Sequence, residues 1–193
     1  MKKFLTVRNI VLCAGALLLL VAFFLSFAAG LKVTEMGQQA TFKNIIWGCR
    51  KIIGPDGEEL SIGVVFGTEK VGPAVLPFIG LLLMILSVIG AILVTLLVKK
   101  PWAKWVVVAL AALAIAGAVF QFFAISQFVR AGVNAMAKEA GITDKEQINK
   151  YYEQYLNLFK NEDAKVPVSV VMGVLGILGG CALGVSALLP EKK

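Results

Sequence analysis

Apolar residues run through the chain in four long blocks, residues 10–31, 73–98, 102–129 and 166–189. Their interiors hold no Asp, Glu, Lys or Arg, Lys104 lying at the edge of the third. A hydrocarbon core of about 30 Å takes roughly 20 residues of helix. In lipid, backbone groups must pair within a helix or a closed barrel, and unbroken apolar runs lack a barrel's alternation. The pattern therefore predicts an all-α membrane protein: a four-transmembrane-helix bundle in one domain, residues 1–193. The first block follows Lys2, Lys3 and Arg8 and passes through Ser26-Phe27-Ala28, a sequence that also suits signal-peptide cleavage. Its apolar run exceeds the roughly 7–15 residues of a signal core, so it is read as a retained span.

The two long connections, residues 32–72 and 130–165, have other rhythms. Residues 41–53 are rich in β-branched and aromatic types, which predicts a strand. Gly54-Pro55-Asp56-Gly57 then supplies a turn. After it Leu60, Ile62, Val64 and Phe66 alternate with Glu59, Ser61 and Gly63, the period of a half-buried strand. A lone hairpin is marginal in water, so its apolar face needs a cover. In the second connection the third helix is expected to run on through Ala140 and stop at Gly141. A further helix is expected to start at Thr143-Asp144-Lys145-Glu146, with Thr143 and Glu146 as a capping box. Ile148, Tyr151, Tyr152, Tyr155 and Phe159 then share one helical stripe. The first connection is thus a small extracellular β-hairpin or sheet, and the second carries an amphipathic helix.

Composition agrees with membrane insertion: 59% of residues are hydrophobic, 16% are charged, and mean hydropathy is +0.84. Charge adds orientation. The net +7 resides in the termini and the short second connection, through Lys2, Lys3, Arg8, Lys99, Lys100, Lys104, Lys192 and Lys193 against Glu191. The two long connections balance 11 basic with 11 acidic residues. Basic flanks stay cytoplasmic, so both termini are expected inside and both long connections outside. The basic clusters are read as topology signals touching anionic headgroups and not as a nucleic-acid surface. The Met1-Lys2-Lys3 start and compact connections are compatible with a bacterial inner membrane, placing the chain as a multi-pass protein of the cell membrane.

Candidate chemistry is sparse. The chain has no histidine, which removes His-based triads, His-ligated metals and His proton relays. Cys13, Cys49 and Cys181 form no CxxC, and no phosphate-loop or dinucleotide motif is present. No catalytic, cofactor or metal site is expected. Glu153, Glu162 and Asp163 read as a solvated face. Gly176, Gly180 and Gly184, thickened by Gly173 and Gly179, make a small-residue face suited to close helix packing, within the bundle or with another protein. Gln121, Ser126 and Gln127 are candidates for interhelical hydrogen bonds or a pore lining, among Phe120, Phe122, Phe123 and Phe128. Intramembrane carboxylates and bases, which proton pathways use, are missing from the spans. Arg130 is expected to snorkel to the interface, with Trp102 and Trp105 in an aromatic belt. Tyr151, Tyr152, Tyr155 and Phe159 pack on the first connection's sheet, anchor at the outer headgroup layer, or form a partner-binding surface, with Trp47 and Cys49 as further interface candidates. Cys49 is read as a free buried thiol or an intermolecular bridge. Without histidine it has no activating base.

The layout resembles that of claudin-like four-span proteins, and Trp47-Gly48-Cys49 is similar to part of their Trp/Gly-Leu-Trp/Cys signature. The resemblance implies β-strands in the first outer loop and a third helix that outgrows the membrane. The chain lacks the signature's first tryptophan and its second loop cysteine. Fold likeness does not carry function. The functional expectation is a non-enzymatic protein acting by association with the bilayer and with another membrane protein or itself, as scaffold, assembly partner or accessory subunit. The alternative is an oligomeric channel or export component with a pore near Gln121. The topology has a direct check. A membrane-impermeant amine reagent applied to sealed cells should modify Lys51 and Lys145 and spare Lys99 and Lys193, and the reverse pattern would invert the assignment.

Overall fold

In the computed structural model, residues 6–35, 38–98, 100–160 and 168–190 are described. Among them, four helical runs are long and apolar enough to cross a membrane: Val7–Ala28, Val75–Leu97, Ala103–Glu139 and Val168–Leu188. The first comprises α1 (Val7–Leu25) and a 3₁₀ turn, the second is α3 (Val75–Leu97), and the last is α7 (Val168–Leu188). The third comprises α4 (Ala103–Phe120), a 3₁₀ turn at Gln121–Phe123 and α5 (Ala124–Glu139). Its 37 residues exceed the roughly 20 that a bilayer needs. The chain divides into two compact units, a helical one (1–25, 79–121, 171–193) and a sheet unit (26–78, 122–170).

Lipid supplies no hydrophobic drive between helices, so the helical unit relies on close packing at small residues. Gly15 of α1 and Gly179 of α7 meet backbone to backbone: a methyl on either would lie within 3 Å of the other's carbonyl oxygen. Gly176 faces Ala118 of α4, Gly180 faces Ile115, and Gly184 lies against Ala111. Gly80 of α3 and Gly117 of α4 interlock in the same way, each without room for a methyl beside the other's carbonyl. The outer surfaces of these helices carry Leu17, Leu82, Leu86, Leu113 and Leu178, all exposed, as lipid contact requires.

The sheet unit holds an antiparallel meander, β1 (Gly30–Glu35), β2 (Gln38–Lys43), β3 (Lys51–Ile53) and β4 (Glu59–Ser61), ordered 1-2-3-4. The Gly54–Gly57 turn joins β3 to β4 as expected: Gly54 N–H donates to the Glu58 carbonyl at 2.8 Å, and Gly57 takes φ +81°. Other expectations need correction. The apolar pattern predicts no strand at β1, which begins at Gly30 inside the first apolar block. Residues 41–53 are not one strand. Asn44 adopts φ +57° and its carbonyl accepts from Trp47 and Gly48, so the chain turns after Lys43. The alternation after Leu60 ends at Ser61, whose hydroxyl accepts from Gly63 N–H. A single helical turn, α2 (Gly63–Phe66), follows and is closed by Gly67 at φ +62°. Ile62 and Phe66 stay fully buried because i and i+4 share a helical face just as alternate residues share a strand face. Val64, expected beside them, is 71% exposed.

α5 ends as expected, with Gly141 at φ +68°. Ile142 N–H reaches the Ala137 carbonyl and Gly141 N–H that of Lys138, the Schellman pattern. The next helix, α6 (Lys145–Lys160), is capped by Asp144, whose carboxylate accepts from Glu146 N–H at 3.0 Å, and not by Thr143. Asp144 directly precedes the first helical residue and so takes the N-cap position, one residue later than expected.

The core of this unit is aromatic. Phe42 of β2, Phe66 of α2, Phe128 of α5 and Phe159 of α6 are all buried, with ring centroids 5.1–6.3 Å apart in five pairs. Such pairs add about 0.5–1.5 kcal/mol each beyond the area they bury. Gly132 leaves space for Phe66; an added Cβ would stand 2.6 Å from its ring. Removing the clash-free notch between α3 and α4 tests the packing account of the helical unit. Gly80→Leu should lower stability by about 1–3 kcal/mol or more, the usual cost of overpacking, read as an earlier unfolding midpoint in detergent.

Candidate functional site

The sheet unit contains a cleft of about 500 Å³, and backbone geometry shapes it. After Asn44 turns the chain away from β2, Gly48 adopts φ +107° with the Val71 carbonyl 3.0 Å from where a Cβ would stand. Cys49 and Val71 then exchange two backbone hydrogen bonds, of 3.0 and 2.8 Å, as an isolated antiparallel bridge. This pins the strand leading to α3 against the segment after β2. Trp47 is fixed in turn. Its indole N–H donates to the buried Ser26 hydroxyl at 3.0 Å, its ring stacks on Phe27 at 5.1 Å, and Phe78 meets it edge-on at 5.4 Å.

The cleft is lined by Lys43 and Asn44, by Arg50 and Lys51 with Glu59, and by Lys70 with Val71, around Trp47 and Gly48. Lys51 pairs with Glu59 at 2.8 Å. That hydrogen bond, and the charge behind it, raises the Lys51 ammonium above its ordinary range and lowers the Glu59 carboxyl, which Lys43 lowers further. Both groups are solvent-exposed, so the pair adds little stability. Its effect is to engage Glu59 in a close ion pair with Lys51, leaving Lys43 to act on it only through longer-range charge. Among the described residues Lys43, Arg50 and Lys70 form no ion pair of 4 Å or less.

The residues singled out from sequence fall elsewhere. Cys49 is 1% exposed and lies beneath the cleft, its thiol donating to the Lys51 carbonyl at 3.2 Å. Burial pushes the thiol up, partly offset by backbone hydrogen bonds at Lys43 and Lys51. All three cysteines are free. On α6, Tyr155 donates its hydroxyl to the Val65 carbonyl at 2.9 Å and its ring lies against Phe66, while Phe159 belongs to the aromatic core. Tyr152 lies under the Arg130 guanidinium, 4.9 Å from its ring centre, and Arg130 also donates to Asn149 at 2.9 Å. Arg130, expected to snorkel, therefore ties α5 to α6. Tyr151 is half-buried.

Gln121 is fully buried. Its amide donates to the Gly117 carbonyl at 3.2 Å and lies against Gly80. Ser126 donates to the Phe123 carbonyl of its own helical run, and Gln127 is half-buried. Gly173, Gly176 and Gly180 are buried and Gly184 half-buried. Glu162 and Asp163, expected on a solvated face, lie outside the described residues.

Sequence reasoning missed the cleft. Lys43, Arg50, Lys51 and Lys70 form no motif, and the loop that carries them is electrically neutral overall. The asymmetry lies within the loop: among its described side chains Lys43, Arg50, Lys51 and Lys70 line the cleft, against Glu59 alone of the carboxylates. No family model matches the chain, and neither a curated protein nor a solved structure matches it. The buried thiol gives a test of this geometry. Maleimide should label Cys49 about tenfold or more slowly in the folded protein than in detergent-denatured chain, as expected for a buried thiol of raised pKa. Its native rate should keep climbing with pH beyond the ordinary thiol range. Fast labelling at neutral pH, or a reductant-sensitive dimer lost in Cys49→Ser, would contradict it.

Proposed function

We propose that the protein is a non-enzymatic multi-pass membrane protein that acts by association, as a scaffold, assembly partner or accessory subunit of a membrane complex. The observation that carries this reading is the order built into the two long connections. Joining spans needs only a few residues. Here the two connections instead form a sheet and two helices locked by four phenylalanines, the Tyr155–Val65 hydrogen bond and the Arg130–Tyr152 stack. Ordering so many residues costs about 1–2 kcal/mol each in backbone entropy, and a fixed surface is what that order yields. The charge pattern supports a cell-membrane location with both termini cytoplasmic and the sheet unit outside. The partners on this reading are the bilayer and another membrane protein or a second copy, with no nucleic acid and no cofactor.

An oligomeric channel or export component is the alternative, and it needs Gln121, Ser126 and Gln127 to face a lumen. The burial of Gln121 against Gly117 and Gly80 favours association over that arrangement. Tagged full-length protein extracted from its native membrane in mild detergent should carry a stoichiometric protein partner or run as a defined oligomer by native mass spectrometry. A bare monomer in two different detergents would sink the reading. Liposome flux that falls in Gln121→Leu would move the assignment to the channel.

A further inference from the structure

From the geometry of the cleft we propose a binding site for a phosphate-bearing anion, held by Lys43, Arg50 and Lys70. The proposal stands independently of the association reading. The first observation is charge separation within a neutral loop. Among the described side chains of that loop, Asp56, Glu58 and Glu69 do not line the cleft, whereas Lys43, Arg50, Lys51 and Lys70 do. Like charges gathered around a concavity repel one another, and an anion that accepts from several of them relieves that cost. Glu59 does not serve, because Lys51 holds it at 2.8 Å.

The second observation concerns the kind of anion. A volume of about 500 Å³ suits a headgroup-sized ligand. Arg50 offers a planar fork and the two lysines offer point charges, a set that matches a tetrahedral oxyanion better than a single planar carboxylate. All three side chains are exposed and free to reorient onto a guest. The floor is rigid: Gly48 and the Cys49–Val71 bridge fix it, and Trp47 is held on two sides.

The third observation is position along the chain. Trp47 bonds Ser26 and stacks on Phe27, at the end of the first apolar run, and meets Phe78 in the first turn of α3. Lys70 precedes α3 by only a few residues. The cleft is therefore tethered, through Trp47, to the ends of two apolar helical runs, and ends of spans are where headgroup phosphates are met. The same chemistry is offered by an anionic phospholipid headgroup and by a water-borne phosphate compound.

The test uses the full chain in nanodiscs, in a Trp102→Phe/Trp105→Phe background so that Trp47 is the one remaining indole. One arm raises the fraction of phosphatidylglycerol in phosphatidylcholine. The other adds glycerol phosphate to pure phosphatidylcholine discs. A saturable change in Trp47 emission is expected in at least one arm. Response to the lipid alone assigns a headgroup, and response to glycerol phosphate assigns the water-borne source. Lys43→Gln/Arg50→Gln/Lys70→Gln should weaken it about tenfold or more, because each basic group removed takes away attraction for the anion. Lys138→Gln/Lys145→Gln/Lys150→Gln removes the same charge from α5 and α6 and should leave it unchanged. Thermal unfolding confirms that each variant is folded, and Lys70→Glu alone should weaken binding in the same direction if the triple variant is not. Silence in both arms, equal loss in both triple variants, or a response only to an oligoglutamate peptide would overturn the proposal.

Discussion

Phe66 is the residue on which the sheet unit turns. It sits at the end of a single helical turn and touches Phe128, Phe159 and Tyr155, with Gly132 clearing the space its ring fills. Without that ring the β3–β4 hairpin would be joined to α5 and α6 by little more than the Tyr155 and Thr68 hydrogen bonds. The second of these runs from the buried Thr68 hydroxyl to Glu139 at 2.7 Å. Apolar burial thus sets the arrangement, and polar contacts choose its register. Every wall of the basic cleft comes from segments this core holds in place.

The helical unit follows a different rule. With lipid as the surrounding medium, exposed leucines cost nothing and buried ones gain little by leaving it. Close approach at Gly15, Gly80, Gly117, Gly176, Gly179 and Gly180 supplies the attraction instead, and the Gln121 amide, bonded to Gly117 of its own helical run, lies against Gly80. A methyl group at these points does more harm than the loss of a large side chain on the outer surface.

Much of this could be read from the residues alone, and the reasons for the failures are specific. Run length located the four helices, because hydrocarbon thickness leaves few alternatives. Gly54–Gly57 and Gly141 were legible because their conformations suit few other residues. The buried pair Ile62 and Phe66 was identified correctly on the wrong secondary structure, since a two-residue strand step and a four-residue helical step place them on one face. Val64, between them, exposed the difference. Gly80 and Gly117 were invisible because a lone glycine in a span has no period until its partner helix is known. The cleft was hidden because it depends on the Asn44 turn and the Cys49–Val71 bridge, neither of which leaves a pattern in composition or hydropathy.

The short joint between α5 and α6 makes those two helices neighbours in sequence as well as in space. Contacts from Phe42 to Phe128 and Phe159, by contrast, join residues far apart in the sequence. As the polypeptide emerges from the ribosome, the strands are completed first, and two further membrane crossings are synthesised before their cover exists. During that interval the greasy side of the meander has no native neighbour. Biogenesis of this protein therefore includes a waiting period whose length is set by translation and insertion, and whose end is the arrival of the helical pair.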